Sequence, residues 1–255
     1  VSRTAGPAPA TLILLRHGQS LANAQGRFTG WTDVPLTPRG EDEARTAARL
    51  LVRDGLRPDA VHTSVLRRSI RTADLVLAEL DRAWLPVLRT WRLNERQYGA
   101  LAGRPKSEVR REVGDDRYRE LRRSVTARPA PSPPAELALL RADPRYARLR
   151  PDAIPPAETF ADVVARITPY WTDELAPALR AGRTVLVVAH GNALRALIAV
   201  LDRLDDAAVE RLNVPTGAPL LYALTGDLRP VAAGGRYLDP VTAHAAAAAV
   251  AAEGH

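Results

Sequence analysis

Two stretches of the chain run from an apolar segment into a histidine followed by glycine: LILLRHGQS at residues 12–20 and TVLVVAHGN at residues 184–192. Each reads as a buried strand that stops at a turn, which places His17 and His190 at two strand ends. Imidazole offers a nucleophilic nitrogen and an N–H donor from one ring. In an open parallel sheet, ligands gather outside the carboxyl ends of the strands, where helix N-termini present unpaired N–H groups to anions. Two neighbouring strands would bring both rings to one crevice. A single such histidine would read equally well as a hydrogen-bonded core residue; two in matched contexts favour a shared site.

The composition sets the frame for that site. The chain has 255 residues and 46% hydrophobic content, enough for a sizeable core. It has no cysteine, which excludes disulfides, thiolate metal ligands and cysteine nucleophiles. The net charge of +7 is almost all arginine, with Lys106 the single lysine. Beside abundant alanine this reads as coding bias, so nucleic acid is not expected as a partner. The stretch VSRTAGPAPA, residues 1–10, reads as a loose tail without the apolar segment of a signal peptide. No window approaches 18 unbroken apolar residues, so neither a membrane partner nor a membrane location is expected and the compartment reads as cytoplasmic.

The elements that must position the two histidines follow from pattern and punctuation. LTPRGEDEARTAARLLVRDG predicts a helix, with Thr37 as N-cap, Pro38 at its first position, Gly55 past its end and Ala44, Ala47, Ala48 and Leu51 buried. A short strand AVHTS precedes a helix from about Leu66 to Leu80, and LPVLRTWRLNE reads as extended. Residues 102–156 form a Pro- and Arg-rich, partly helical insertion over the core. Regular structure resumes with a helix from Thr159 to Leu179, the strand TVLVVA, a helix carrying Leu194, Leu197, Ile198 and Leu201, and a strand around PLLYAL. Alternating strands and helices predict an α/β fold, a mostly parallel sheet with helices on both faces. Residues 11–240 read as one domain and 241–255 as an Ala-rich tail, helical or frayed, with no assigned function.

LLRHGQS resembles the signature of the histidine phosphatase superfamily. Its companions NAQGRFTGWTDVPLTPRG, TSVLRRSIRTA, AWLPV, LNERQYGAL, DPRY, TPYW, AHGNALRAL and NVPTGAPLLY are, in that order, similar to the cofactor-dependent phosphoglycerate mutases from about Leu12 to Tyr222. The resemblance implies interconversion of 3- and 2-phosphoglycerate through a phosphohistidine, priming by 2,3-bisphosphoglycerate, no metal, and a homodimer. A neutral imidazole can attack phosphorus and pass the group on, which divides one difficult transfer into two easier ones. Charge on the three equatorial oxygens then calls for cationic and N–H donors around it.

On that resemblance His17 is the nucleophile, Glu95 the general acid/base, and Arg16, Arg68 and His190 surround the phosphoryl group. Asn23, Thr29, Gly30, Gly191 and Asn192 supply neutral contacts. Tyr98, Lys106, Arg122 and Arg123 clamp the carboxylate and second phosphate from the insertion. Arg67 and Arg71 read as a solvated helix face, His62 as packed beside the site, and the four tryptophans as packing or interface residues. Gln19, Gln97, Ala102 and Ala193 depart from the family pattern, and the segment after Arg123 lacks an expected aromatic; these positions are expected near the rim that sees the distal end of the ligand. The alternative enzyme is a histidine-type phosphatase of small phosphate esters, with water as acceptor. A silent phosphate-binding protein would lack His17, His190 or Glu95, and all three are present.

Overall fold

Alternation along one short strand explains why the sheet is covered on both faces. In β1 (Ala10–Arg16), Leu12 and Leu14 join one apolar cluster while Ile13 and Leu15 join another. Successive side chains on a strand point to opposite faces, so a run with no polar member must be buried on both. A computed structural model describes residues 10–252. The expected tail therefore lies outside the described residues, except for Ala10, which opens β1.

After β1 come α1 (Leu21–Ala24), α2 (Pro38–Arg53), β2 (Ala60–Thr63), α3 (Arg67–Glu79) and β3 (Val87–Arg89). Thr37 caps α2 through a bond from the Gly40 amide at 3.1 Å, and Pro38 takes the first helical position, as its fixed φ favours. The insertion holds α4 (Lys106–Val113), α5 (Asp115–Arg123) and α6 (Pro134–Arg141). The chain then returns through α7 (Phe160–Tyr170), α8 (Ala176–Arg180), β4 (Thr184–Ala189), α9 (Gly191–Asp202), α10 (Asp206–Arg211), β5 (Leu220–Leu224), β6 (Arg236–Tyr237) and α11 (Pro240–Ala252).

These strands form one six-stranded sheet in the order β3-β2-β4-β1-β5-β6. The first four are mutually parallel, β5 pairs antiparallel with β1, and β6 pairs antiparallel with β5. Arg16 on β1 is in register with Ala189 on β4, so the residues that follow, His17 and His190, leave adjacent strands side by side. The His17 amide still donates to the Ala189 carbonyl at 3.0 Å. One face packs on α7 and α9 through Val163, Ile167, Leu194 and Leu197; the other packs on α2 and α3 through Ala47, Leu51, Ala73 and Val76.

Two expectations change, and one left open is decided. Only Val87–Arg89 of LPVLRTWRLNE is strand, because Thr90 caps a 3-10 turn at Trp91–Leu93. The long helix from Thr159 is interrupted by a widened turn at Trp171–Leu175, shortly after Pro169 removes one ladder donor. The carboxyl segment is helical from Pro240, and β6 is too short to leave a pattern.

Several side chains tie the insertion to the core: Tyr146 and Ile154 pack with Trp31, Asn94 donates to Tyr146 Oη at 2.9 Å, and Arg145 pairs with Asp33 at 2.7 Å. Arg96 is fully buried, and its guanidinium donates to the carbonyls of Glu158 at 2.7 Å, Leu121 at 3.0 Å and Ala127 at 2.7 Å. A cluster of Phe28, Leu101, Val109, Tyr118 and Leu121 packs beneath α4 and α5.

Candidate active site

Where β1 and β4 end, the chain leaves a cleft of about 710 Å³, counting its open mouth. His17, 3% exposed, sits at its base. Its Nδ1 lies 2.7 Å from the Gly18 carbonyl, an acceptor only, so this nitrogen carries the proton and donates. Its Nε2 accepts from the Arg68 Nε–H at 3.3 Å. The lone pair of a nucleophile is thereby fixed on Nε2. Burial first, then the charges of Arg68 and Arg16, hold the His17 pKa well below the usual imidazole value, so the ring is neutral at neutral pH.

Arg68 is 1% exposed and spends its other nitrogens on the carbonyls of Thr32 at 2.8 Å and Gly30 at 2.9 Å. Burial brings its pKa down to about 10, which leaves it charged at neutral pH. Gly30 makes this possible with φ of +57°; a Cβ there would stand 3.0 Å from Gln97 Oε1 and 3.2 Å from the Tyr98 amide. Arg16 donates to the Val214 carbonyl at 2.7 Å, while its buried Nε has no protein partner.

The His190 ring centroid is 4.9 Å from that of His17. His190 is fully buried, beside His17 at the base of the cleft. Its Nε2 is 2.7 Å from Ser64 Oγ, and its Nδ1 has no partner. Burial, followed by Arg68, His17 and Arg16, depresses its pKa well below the ordinary value. Its donor capacity is that of a neutral ring.

Glu95 reaches the cleft from the other side. Its Oε1 accepts three N–H groups, from the amides of Arg96 at 2.7 Å and Asn192 at 3.1 Å and from Asn192 Nδ2 at 2.9 Å. Its Oε2 is left toward Gly191 and Arg16. The backbone around it is fixed as tightly. Trp31 Nε1 donates to the Glu95 carbonyl at 2.6 Å, Arg166 donates to the carbonyls of Asn94 and Glu95 at 2.8 and 3.0 Å, and the Gln97 amide donates to Glu158 at 2.8 Å. Arg166 and Glu158 form a buried ion pair at 2.7 Å.

The cleft brings together Arg16, His17, Asn23, Thr29, Gly30, Arg68, Glu95, Tyr98, Lys106, Arg122, Arg123, Gly191 and Asn192, all singled out from sequence. His190 stands beside His17. Arg195, Arg27, Asn213 and Val250 also line it and were not foreseen. Arg195 bonds Asn192 Oδ1 at 2.7 Å from one turn along α9, a spacing of three that the HGNALRAL stretch displays. Nothing in the Ala-rich end signals Val250, whose carbonyl lies 3.5 Å from Arg123. His62 bonds Tyr170 Oη at 2.6 Å within the core, apart from the cleft.

The family departures stand elsewhere than expected. None of Gln19, Gln97, Ala102 or Ala193 lines the cleft. Gln19 bonds Thr37 Oγ1 at 2.9 Å, Gln97 is buried behind Gly30, and Ala193 faces the core from the first turn of α9. Sequence distance from a motif carries no depth, and the turn at residues 94–98 points Gln97 inward.

Counting lining residues, Arg16, Arg27, Arg68, Lys106, Arg122, Arg123 and Arg195 make seven cations against one acid, Glu95. With the buried, unpartnered Arg16 Nε, such a cleft favours a ligand of several negative charges. Among the described residues no group of three His, Asp or Glu side chains is placed to hold a metal ion, and no helix is long and apolar enough to cross a membrane.

The model of the histidine phosphatase superfamily (branch 1) matches residues 12–227. A 2,3-bisphosphoglycerate-dependent phosphoglycerate mutase of Thermobifida fusca is 53% identical over 240 residues, 94% of this chain and 97% of the relative. One of the same description from Nitratidesulfovibrio vulgaris is 53% identical over 245 residues, 96% and 98% of the two chains. Among solved structures, a mycobacterial glucosyl-3-phosphoglycerate phosphatase complexed with VO3 is similar with a TM-score of 0.65 at 26% identity, covering 84% of this chain and 92% of that one. A phosphoglycerate mutase from Bacillus anthracis is similar with a TM-score of 0.61 at 25% identity, covering 85% and 89%.

Proposed function

The chain belongs to the histidine phosphatase superfamily, and from that premise we infer that it interconverts 3- and 2-phosphoglycerate through phosphorylated His17, primed by 2,3-bisphosphoglycerate. The observation that carries this reading is the distribution of charge: one cleft has cations around the nucleophile, Arg16 and Arg68, and a second set on the insertion, Lys106, Arg122 and Arg123. A hydrolase of a monophosphate with no second anionic group has no need of the second set. A ligand with a phosphoryl group at one end and a carboxylate and second phosphate at the other engages both.

In this reading the His17 Nε2 lone pair attacks phosphorus as the bond to the ester oxygen breaks. Arg16 and Arg68 face the charge on the equatorial oxygens. The departing oxygen takes a proton from Glu95, whose Oε1 is held by three donors while Oε2 is left to the substrate. In the return step the accepting hydroxyl gives its proton back to Glu95, its oxygen attacks phosphorus, and the bond to Nε2 breaks. The distal clamp keeps the bisphosphorylated species within reach while it reorients, and limits the access of water. A cytoplasmic location and assembly as a homodimer belong to the same reading on the resemblance, and light scattering on the purified protein measures the latter.

Incubation with 3-phosphoglycerate, with and without 2,3-bisphosphoglycerate, separates the two enzyme readings. The expected result is 2-phosphoglycerate, formed faster with the primer. Free phosphate as the main product overturns the mutase reading in favour of the phosphatase, the activity named for the mycobacterial structure of like fold.

A further inference from the structure

His190 leaves its strand with Nε2 turned to a pair of buried hydroxyls that the reaction above does not use. Ser64 and Ser69 are both fully buried. Ser64 Oγ lies 2.7 Å from His190 Nε2 and 2.9 Å from Ser69 Oγ, and it accepts the Leu66 amide at 3.1 Å. Ser69 Oγ accepts the Ser64 amide at 3.2 Å. A hydroxyl has one proton and two lone pairs, so the direction of every bond in this set can be worked out.

Ser69 Oγ already accepts an amide, and among the described residues the acceptor in reach of its own proton is Ser64 Oγ. Ser64 Oγ then receives two donors, the Leu66 amide and the Ser69 hydroxyl, which uses both of its lone pairs. Its proton has one acceptor left, His190 Nε2. A neutral imidazole that accepts at Nε2 carries its hydrogen on Nδ1, the ring nitrogen that is buried without a partner beside His17.

We propose that Ser64 and Ser69 are positioning residues that set the tautomer of His190, so that a neutral ring presents Nδ1–H to the phosphoryl group on its way to and from His17. The proposal rests on the phosphoryl-transfer reading for its purpose, and on the hydrogen-bond geometry alone for its existence. The arrangement explains why a ring surrounded by arginines remains a donor: the opposite tautomer would turn a lone pair toward anionic oxygens. It also gives α3 a second task. Its first turn carries Arg68 toward His17, and the adjacent Ser69 faces the other way, toward the hydroxyl behind His190.

Nitrogen-15 NMR of the histidine rings in the resting protein tests this directly. The expected spectrum of His190 shows a protonated Nδ1 and an unprotonated Nε2. Ser64→Ala should populate the other tautomer and lower kcat about 10-fold or more with KM little changed, as loss of a donor used in the transition state does. In a His190→Ala background the same substitution should cost no further activity, because its effect passes through the ring. If Ser64→Ala does not fold, Ser69→Ala frees one lone pair on Ser64 and should produce mixed tautomers in an intact site. A protonated Nε2 in the unsubstituted protein overturns the proposal, as does an equal activity loss from Ser64→Ala with and without His190. The tautomer is read without substrate, so a failed mutase assay overturns the reaction reading alone.

Discussion

The two ends of the cleft are built by different means. At the nucleophile end, His17 and His190 follow paired core strands, Arg68 is 1% exposed, and each ring or guanidinium nitrogen that has a partner bonds a fixed group such as a carbonyl or a buried hydroxyl. At the distal end Lys106, Arg122 and Arg123 are half-buried on short helices of the insertion, surrounded by exposed ion pairs such as Arg117–Glu120 and Arg110–Asp115. Surface pairs of this kind are worth little each, and the insertion is held by the Arg96 bonds, two apolar clusters and the Asn94–Tyr146 bond. In the proposed reaction, bond-making falls to the fully buried end and retention of the ligand to the half-buried one.

The largest effect should come from the fully buried end. His17→Ala should abolish both transfer and acid-labile phosphoryl labelling while the circular dichroism spectrum is kept; label that persists in the variant would remove His17 from the role. At the distal end, Arg122→Ala with Arg123→Ala should divide two activities that His17→Ala abolishes together. Mutase activity should collapse and hydrolysis of small phosphate esters survive, raising their ratio by about 10²-fold, since each anchor is worth roughly 1.5–3 kcal/mol where desolvated. If both activities fall in parallel, the two ends are not separable.

Acid sharpens the comparison by stability. His17, His190 and His62 are buried with depressed pKa values, and burial brings His62 to about 4. The unfolded chain takes up these protons near pH 6.5 and the folded chain does not, so stability is complete above about 6.5 and declines as pH falls toward 4. For His62 alone the full loss is on the order of 3 kcal/mol. Urea midpoints at pH 7.5 and 5.0 measure it, and equal midpoints would show that these rings titrate freely. The smallest effect is expected at Gln97, buried off the cleft. Gln97→His should change relative activity toward the two phosphoglycerates by less than about 3-fold by the kcat/KM criterion, about 0.6 kcal/mol; a larger change would mean that the distal contacts extend behind Gly30.

The nucleophile end was legible because its signals are local. An apolar run, a histidine and a glycine mark β1 and β4, and Thr37 and Pro38 mark the start of α2. Their adjacency followed from the rule for parallel sheets. The distal residues were legible by resemblance, but their support was not: Arg96 bonds three carbonyls far apart in the chain, and no spacing announces that. Nothing in the sequence marks Ser64, because its contact with His190 depends on which hydroxyl faces which ring, a matter of tertiary structure. The departures at Gln19 and Gln97 were located too near the ligand, since a motif reveals which residues are neighbours in sequence and not which side of a turn they face.

The pairing of β1 with β4 has a consequence for how the protein comes into being. Thr11 is in register with Thr184, so the strand that leads to His17 has its parallel partner far along the chain. During synthesis from the amino end, His17 emerges long before Ala189 and His190, and has no Ala189 carbonyl to bond and no second histidine beside it until β4 has been made. Closing so long a loop slows folding and leaves the apolar β1 segment in need of shelter meanwhile. It also means that a chain released before Thr184 carries the RHG signature without a pocket to use it, so an unfinished copy cannot consume phosphorylated metabolites.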